Sequence, residues 1–308
     1  MASRDFLQSR FGIEVELTGI TRTKAAEVMA KHLNGTIERL FDQYDTHKIT
    51  AQDQRVWKIM FDGSIYCQGK VGHQNRPASS EYSVELVSPV LTYDQDIDTL
   101  QEIIRKLRKA GGFSERDNLC GIHVHLDGAP HTARSLRNFI NLVHSRNDLL
   151  YEALQIAPER MRYCKKMDAA LVERMNAVKP RTLQDVERIW YAGYSDSPHR
   201  RYHPSRYQFV QLHGLFYGVG TVELRAFNNE NLHAGIVRAY IVLALAMNHQ
   251  ALTQTCASRR KPQMDNPKFA MRTWLNRIGL IGDEFKHCRE HLVKHLGGNA
   301  AWRFRQAG

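Results

Sequence analysis

Four stretches of the chain repeat one plan, apolar at every second position with charged or imidazole side chains between. In Phe11–Leu17 the apolar members are Phe11, Ile13, Val15 and Leu17, and Glu14 and Glu16 lie between them. Successive side chains of a strand point to opposite faces, so this stretch predicts a strand with one face in a core and two carboxylates side by side on the other. Glu81–Pro89 sets Tyr82, Val84 and Leu86 against Glu81, Ser83 and Glu85, until Pro89 removes a ladder donor and ends pairing. Cys120–Gly128 turns Ile122, Val124 and Leu126 inward and leaves His123 and His125 opposite. Thr221–Asn228 does the same with Val222, Leu224 and Ala226 against Glu223 and Arg225.

Other segments change period. Ala25, Val28, Met29, His32 and Leu33 follow helical spacing between a Thr21 or Thr23 cap and an Asn34-Gly35 stop, and Ile97, Leu100, Ile103, Ile104 and Leu107 do so up to Gly111-Gly112. A long helix is predicted from Ala133 to about Gln155, and Thr182 with Asp185 resembles a capping box before Val186, Ile189 and Trp190. Met161–Pro180 reads as partly helical, and helices recur at Ile236–Leu252, Pro267–Ile278 and Asp283–Leu296. Thr36–Leu40, Val56–Phe61 and Tyr207–Phe216 read as further strands, the second running into an Asp62-Gly63-Ser64 turn that leaves Asp62 at the strand end. Asp42–Gln54, His73–Ser80 and Gly193–Ser205 read as loops.

Together these elements predict an α+β fold: a mainly antiparallel sheet with helices on its apolar face and an open catalytic trough on the other, plus a helical C-terminal region. The domain reading is a catalytic core over residues 1–230 with a helical insertion at about 131–200, and a helical region over 231–308 packed on that core.

With 308 residues, 43% of them hydrophobic, the chain can bury a sizeable core. Five cysteines without a Cys-x-x-Cys pair fit a reduced cytoplasmic protein better than a disulfide framework or a thiolate zinc site. The N-terminus lacks a signal-peptide apolar core, and the longest apolar run, Tyr240–Met247, is too short to cross a bilayer. The expectation is therefore a soluble protein with no membrane partner. The formal charge of +11 suits anionic small substrates such as nucleotides and also permits nucleic-acid binding. The densest basic group, His199–Arg206, is the candidate substrate rim, because arginine forks suit carboxylates and phosphates.

One strand with a polar face would mean little, and a solvated face is the plain alternative for each pair. Four strands that agree in parity, bearing Glu14/Glu16, Glu81/Glu85, His123/His125 and Glu223/Arg225, make a metal site the better reading. Neighbouring carboxylates repel unless solvent or a cation neutralises them, and hard oxygen donors suit Mg²⁺, with Mn²⁺ an acceptable substitute. A zinc hydrolase acting without ATP is the competing enzyme reading. A nucleic-acid-binding module using the basic surface is the competing non-enzyme reading, and the acidic pairs argue against it.

In chain order, Phe11–Glu16, Asp62-Gly63-Ser64, Glu85 with Ser88-Pro89, Gly121–His125, Arg206-Tyr207 and Thr221–Phe227 resemble the amidoligases of the glutamine synthetase and glutamate-cysteine ligase (carboxylate-amine ligase) superfamily. The resemblance spans about residues 8–250; Gln211 stands where such proteins often have asparagine, and Asn228-Asn229-Glu230-Asn231 replaces a Gly-Thr turn. It implies a glutamine synthetase-like core and an ADP-forming ligase, in which ATP phosphorylates a carboxylate and an amine attacks the acyl phosphate to give an amide or isopeptide bond. The amine and carboxylate partners would be small molecules, peptides or proteins. Carried onto this sequence, Glu16 and Glu85, with Glu81 as a further candidate, would hold one Mg²⁺. Glu14, Glu223 and one histidine of His123/His125 would hold another. Arg206 and Arg225 would contact phosphate oxygens, and His125 and Asp62 would lie in the nucleotide region.

Overall fold

The computed structural model describes residues 5–262 and 264–302, and the chain divides into two compact units. The first comprises Arg10–Val124 and Phe227–Arg238. Its elements are β1 (Arg10–Leu17), α1 (Arg22–Leu33), β2 (Thr36–Arg39), β3 (His47–Thr50), β4 (Val56–Met60), β5 (Gln68–Val71), β6 (Gln74–Pro77), β7 (Val84–Val87), β8 (Leu91–Thr92), α2 (Tyr93–Lys109) and the opening half of β9 (Gly121–Asp127). The strands lie in the order β9-β1-β7-β4-β3-β2, with β8 also on β1 and β5–β6 forming a separate hairpin. Every pairing from β1 outward through β7, β4 and β3 to β2 is antiparallel.

Burial follows the alternation. Phe11, Ile13, Val15, Leu17, Val84, Leu86, Ile122 and Val124 are buried, as are Ala25, Ala26 and Met29 of α1 and Leu100, Ile103, Ile104 and Leu107 of α2. Helix α1 starts where the Thr21 hydroxyl accepts the Lys24 N–H at 3.2 Å, and it stops at Asn34 in the left-handed region. It packs against α2, β3 and β4.

The second unit comprises the described residues of Met1–Ser9, His125–Ala226 and Ala239–Gly308. It takes the end of β9, then α3 (Ala133–Ser145), α4 (Asn147–Ala153), α5 (Ala169–Val178), α6 (Leu183–Tyr191), β10 (Val210–Gln211), α7 (His213–Tyr217), most of β11 (Thr221–Asn228) and of α8 (Ala234–Thr253), α9 (Pro267–Arg277) and α10 (Lys286–Val293). Strands β10 and β11 pair antiparallel, and β11 lies between β10 and β9. Helix α3 packs on α5 and α6, and the apolar run within α8 is buried throughout. Among the described residues no helix is long and apolar enough to cross a membrane.

Several elements depart from the expected boundaries. β3 lies inside the stretch read as a loop, because two buried positions, His47 and Ile49, suffice once β2 and β4 supply the ladder on either side. β6 likewise lies within the expected His73–Ser80 loop and pairs with β5, a strand not expected; the residues of this hairpin are largely exposed and give no apolar alternation to read. The predicted strand from Glu81 begins only at Val84, since Ser80–Tyr82 forms a single turn. Arg22 holds that turn through Nη1, donating to the Ser80 and Ser83 carbonyls at 2.6 and 2.9 Å. The long helix after β9 breaks at Arg146, and of Tyr207–Phe216 only Val210–Gln211 is strand.

The end of β1 depends on Gly19, whose φ of 89° lies where side chains are strained, and an added Cβ would sit on the Phe113 ring and 2.5 Å from the Gly111 carbonyl oxygen. Gly72, in the β5–β6 turn at φ 62°, has nothing within 4 Å of such a Cβ. Gly19→Ala should therefore lower the unfolding free energy by about 2 kcal/mol or more, adding clash to strain, and Gly72→Ala by about 1 kcal/mol from strain alone. Equal losses in urea denaturation would mean the packing around Gly19 yields at no cost.

Candidate metal centre

The antiparallel register puts Glu16 of β1 directly opposite Glu85 of β7, with Val15 opposite Leu86. Directly opposed residues share a face, so burying Val15 with Leu86 forces the two carboxylates together on the other side. Both are nearly inaccessible, Glu16 at 3% and Glu85 at 8% exposure. β4 brings Met60 opposite Glu85, and the chain then delivers Asp62. Ser83 clamps that point: its hydroxyl donates to the Asp62 carbonyl at 2.6 Å and receives the Asp62 N–H at 3.0 Å. Asp62 Oδ1 in turn accepts from the N–H and hydroxyl of Ser64 at 2.6 and 2.5 Å, which orients the carboxylate.

β9 supplies His123, 4% exposed. Its Nδ1 lies 2.8 Å from Glu14 Oε2 and its Nε2 lies 3.6 Å from Glu16 Oε1. At the start of the same strand the Gly121 N–H donates to Glu16 Oε2 at 2.6 Å. Asn229 donates from Nδ2 to the Glu16 carbonyl at 2.6 Å, tying down the backbone beneath the same residue. The result is four carboxylates and one imidazole in two overlapping sets. Donor atoms of Glu14, Glu85 and His123 lie within 4.8 Å of one another, and so do those of Glu16, Asp62 and Glu85. The donors are mostly hard oxygens, which fits Mg²⁺ or Mn²⁺ better than a thiolate- or imidazole-seeking ion.

In the second unit, Glu223 is buried opposite Gln211 across the β10–β11 ladder and receives hydrogen bonds from Gln211 Nε2 and Arg225 Nη1. Gln211 is itself oriented by the Gly214 N–H, 3.0 Å from its Oε1. His125 Nδ1 lies 3.2 Å from the Thr221 hydroxyl. Arg206 donates to the Arg201 carbonyl at 3.2 Å and lies over the Tyr202 ring.

Of the residues expected at the site, Glu14, Glu16, Asp62, Glu85 and His123 come together in the first unit. Glu81 does not join them; it is exposed on the Ser80–Tyr82 turn and belongs to neither of these two sets. Asp62, expected near nucleotide, stands among the carboxylates. Ser83 and Asn229 are contributors that pattern reading missed: Ser83 looked like one more polar member of a strand face, and Asn229 only a departure in a turn.

A family model described as "Putative amidoligase enzyme" matches residues 7–248. The chain belongs to that family. The clustered carboxylates with His123, and Glu223 with Arg225, all fall within the matched stretch of this amidoligase-family chain. A crystal structure of a bifunctional glutathione synthetase from Pasteurella multocida is similar at 13% identity and a TM-score of 0.39. That match covers 94% of this chain and 47% of the other, so the chain spans about half the length of that relative. No curated protein matches at a significant level.

Glu85 is common to both donor sets, so Glu85→Gln isolates the electrostatics with nearly unchanged shape. In EDTA the variant should melt at or above the wild-type temperature, because one of the repelling charges is gone. Millimolar Mg²⁺ should raise the wild-type melting temperature by a few degrees and the variant's by much less. A variant that melts well below wild type in EDTA and gains as much from Mg²⁺ would contradict a cation site at Glu85.

Proposed function

We propose that the chain is an ATP- and Mg²⁺-dependent carboxylate-amine ligase that forms an amide or isopeptide bond through an acyl phosphate, releasing ADP and phosphate. The observation that carries this reading is the buried Glu16–Glu85 pair with Asp62, Glu14 and His123 around it, in a member of an amidoligase family. A glutamine synthetase-like plan for the core, with donors on the polar face of an antiparallel sheet, belongs to the same reading.

In this reaction a carboxylate oxygen of the first substrate attacks the γ-phosphorus, and the bond from that phosphorus to the β–γ bridging oxygen breaks to free ADP. The amine nitrogen of the second substrate then attacks the acyl carbon, phosphate leaves, and the nitrogen loses a proton. Bound Mg²⁺ would neutralise charge on the phosphate oxygens. The protein's own work is positioning. Gly121 and Asn229 hold Glu16, Ser64 and Ser83 hold Asp62, and Glu14 holds the His123 ring. Arg225 and Arg206 are assigned to phosphate oxygens, and His125 and Glu223 to a second cation. Gln211 and Arg225, hydrogen-bonded to Glu223, keep that carboxylate oriented. No side-chain nucleophile is required.

The test is the nucleotide product formed from ATP, Mg²⁺ and pooled carboxylates and amines. One ADP and one phosphate per amide are expected, because cations and guanidinium around the terminal phosphates favour attack at the γ-phosphorus. AMP with pyrophosphate would reject the acyl-phosphate route, and substrate cleavage without ATP consumption would favour a metal-dependent hydrolase.

A further inference from the structure

The loop carrying Arg200, Arg201 and Arg206 is laid beside a second basic segment. Lys165 bridges in parallel to Gln208, its N–H donating to the Tyr207 carbonyl at 2.9 Å and its carbonyl accepting the Phe209 N–H at 2.8 Å. Arg162–Lys166 is thereby drawn along Arg206–Phe209. Lys166 is neutralised by Asp148 at 2.6 Å, and Arg200 by Asp196. Arg162, Lys165 and Arg206, by contrast, have no carboxylate within ion-pair distance among the described residues.

Tyrosines organise these cations. The Arg162 guanidinium lies 4.7 Å from the Tyr163 ring centre, and those of Arg201 and Arg206 lie 5.5 and 5.6 Å from that of Tyr202. Tyr163 meets Tyr207 edge-on at 6.1 Å, joining the two segments. A guanidinium resting on a ring loses little further freedom when its N–H fork engages an anion. The loop behind them is anchored by His203, which is fully buried, accepts the Ser205 N–H at 3.1 Å and stacks on His213 at 5.6 Å. Burial pushes His213 down to about 4, with Arg206 and His203 adding to the effect, so this support is uncharged at neutral pH.

The ledge adjoins residues assigned above to the chemistry. Arg160, from the same segment as Arg162, donates to the Arg225 carbonyl at 3.2 Å. We propose that the arginine–tyrosine ledge, through Arg162, Lys165 and Arg201 beside the Arg206 assigned to phosphate, binds an acidic peptide and that the ligated carboxylate is borne by such a peptide, an inference that rests on the ligase reading. Single-stranded nucleic acid fits less well. Bases need open aromatic faces to stack on, and here guanidinium groups already lie over the tyrosines, whereas arginine forks match carboxylates directly.

The test uses the whole chain at pH 7.5, the fluorescence anisotropy of a labelled hexaglutamate peptide, a hexaglutamine control and a thymidine oligonucleotide competitor. Wild type should bind hexaglutamate with an affinity that falls as salt rises, and should ignore the control. Arg162→Glu with Lys165→Glu should weaken binding at least about tenfold at an unchanged melting temperature. Should that pair fail to fold, Arg162→Gln with Lys165→Gln should show the same direction. Binding is read without turnover, so a protein that binds hexaglutamate but forms no amide with it leaves the ledge as a peptide site and rejects the ligase reading together with the peptide's role as its carboxylate substrate. No hexaglutamate binding, equal affinity in the variants, or tighter binding of the oligonucleotide overturns the proposal.

Discussion

Two carboxylates facing each other across an antiparallel ladder are what the rest of the first unit is arranged around. Glu16 and Glu85 are register partners because Val15 and Leu86 are, and Leu17 and Val84 after them. Each of these buried aliphatic side chains is worth about 1.5–3 kcal/mol in area removed from water. Two unit charges some 4–5 Å apart repel by about 3–4 kcal/mol at an effective dielectric near 20. Burial of the apolar face therefore outweighs the repulsion. A one-residue slip would separate the carboxylates only by turning the whole apolar set outward.

The remaining contacts lower the cost of holding that charge without removing it. The Gly121 N–H, the Asn229 amide and the Ser64 and Ser83 hydroxyls each support one acidic residue of the cluster. The Gly121 and Ser64 bonds end on carboxylate oxygens and, being charge-assisted, are worth about 1.5–3 kcal/mol each, comparable to the repulsion, whereas those from Asn229 and Ser83 fix the Glu16 and Asp62 backbone. They keep donor atoms aimed at a shared point instead of letting them swing toward solvent. An arrangement that concentrates negative charge and then fixes its direction is what a divalent cation requires. The second unit handles charge differently, pairing Glu223 within the chain to Arg225 and Gln211, while Arg162, Lys165 and Arg206 have no carboxylate within ion-pair distance among the described residues.

The strands of the first unit's carboxylate cluster were legible because apolar and acidic or imidazole positions alternate along β1, β7 and the opening of β9, and the apolar ones are buried. β3 was not, since Ile49 is flanked by polar residues and only its neighbours' ladders make it a strand. Glu81 has the parity of a site residue, yet Arg22 caps the turn at Ser80 and Ser83 and takes Glu81 off the strand, a tertiary contact no local pattern carries. Arg146 breaks a helix whose apolar stripe continues through it. Family membership was legible from the ordered motifs, whereas the clamping roles of Ser83 and Asn229 depend on contacts between residues distant in the chain.

Cation binding by the Glu16–Glu85 pair is the proposal on which the ligase reading rests. Anomalous diffraction from crystals grown with Mn²⁺ and an unreactive ATP analogue tests it most directly. A manganese peak bonded to oxygens of Glu16 and Glu85, lost in Glu85→Gln crystals, is the expected result. Ordered water alone between those carboxylates, with manganese absent or bound elsewhere, would contradict it.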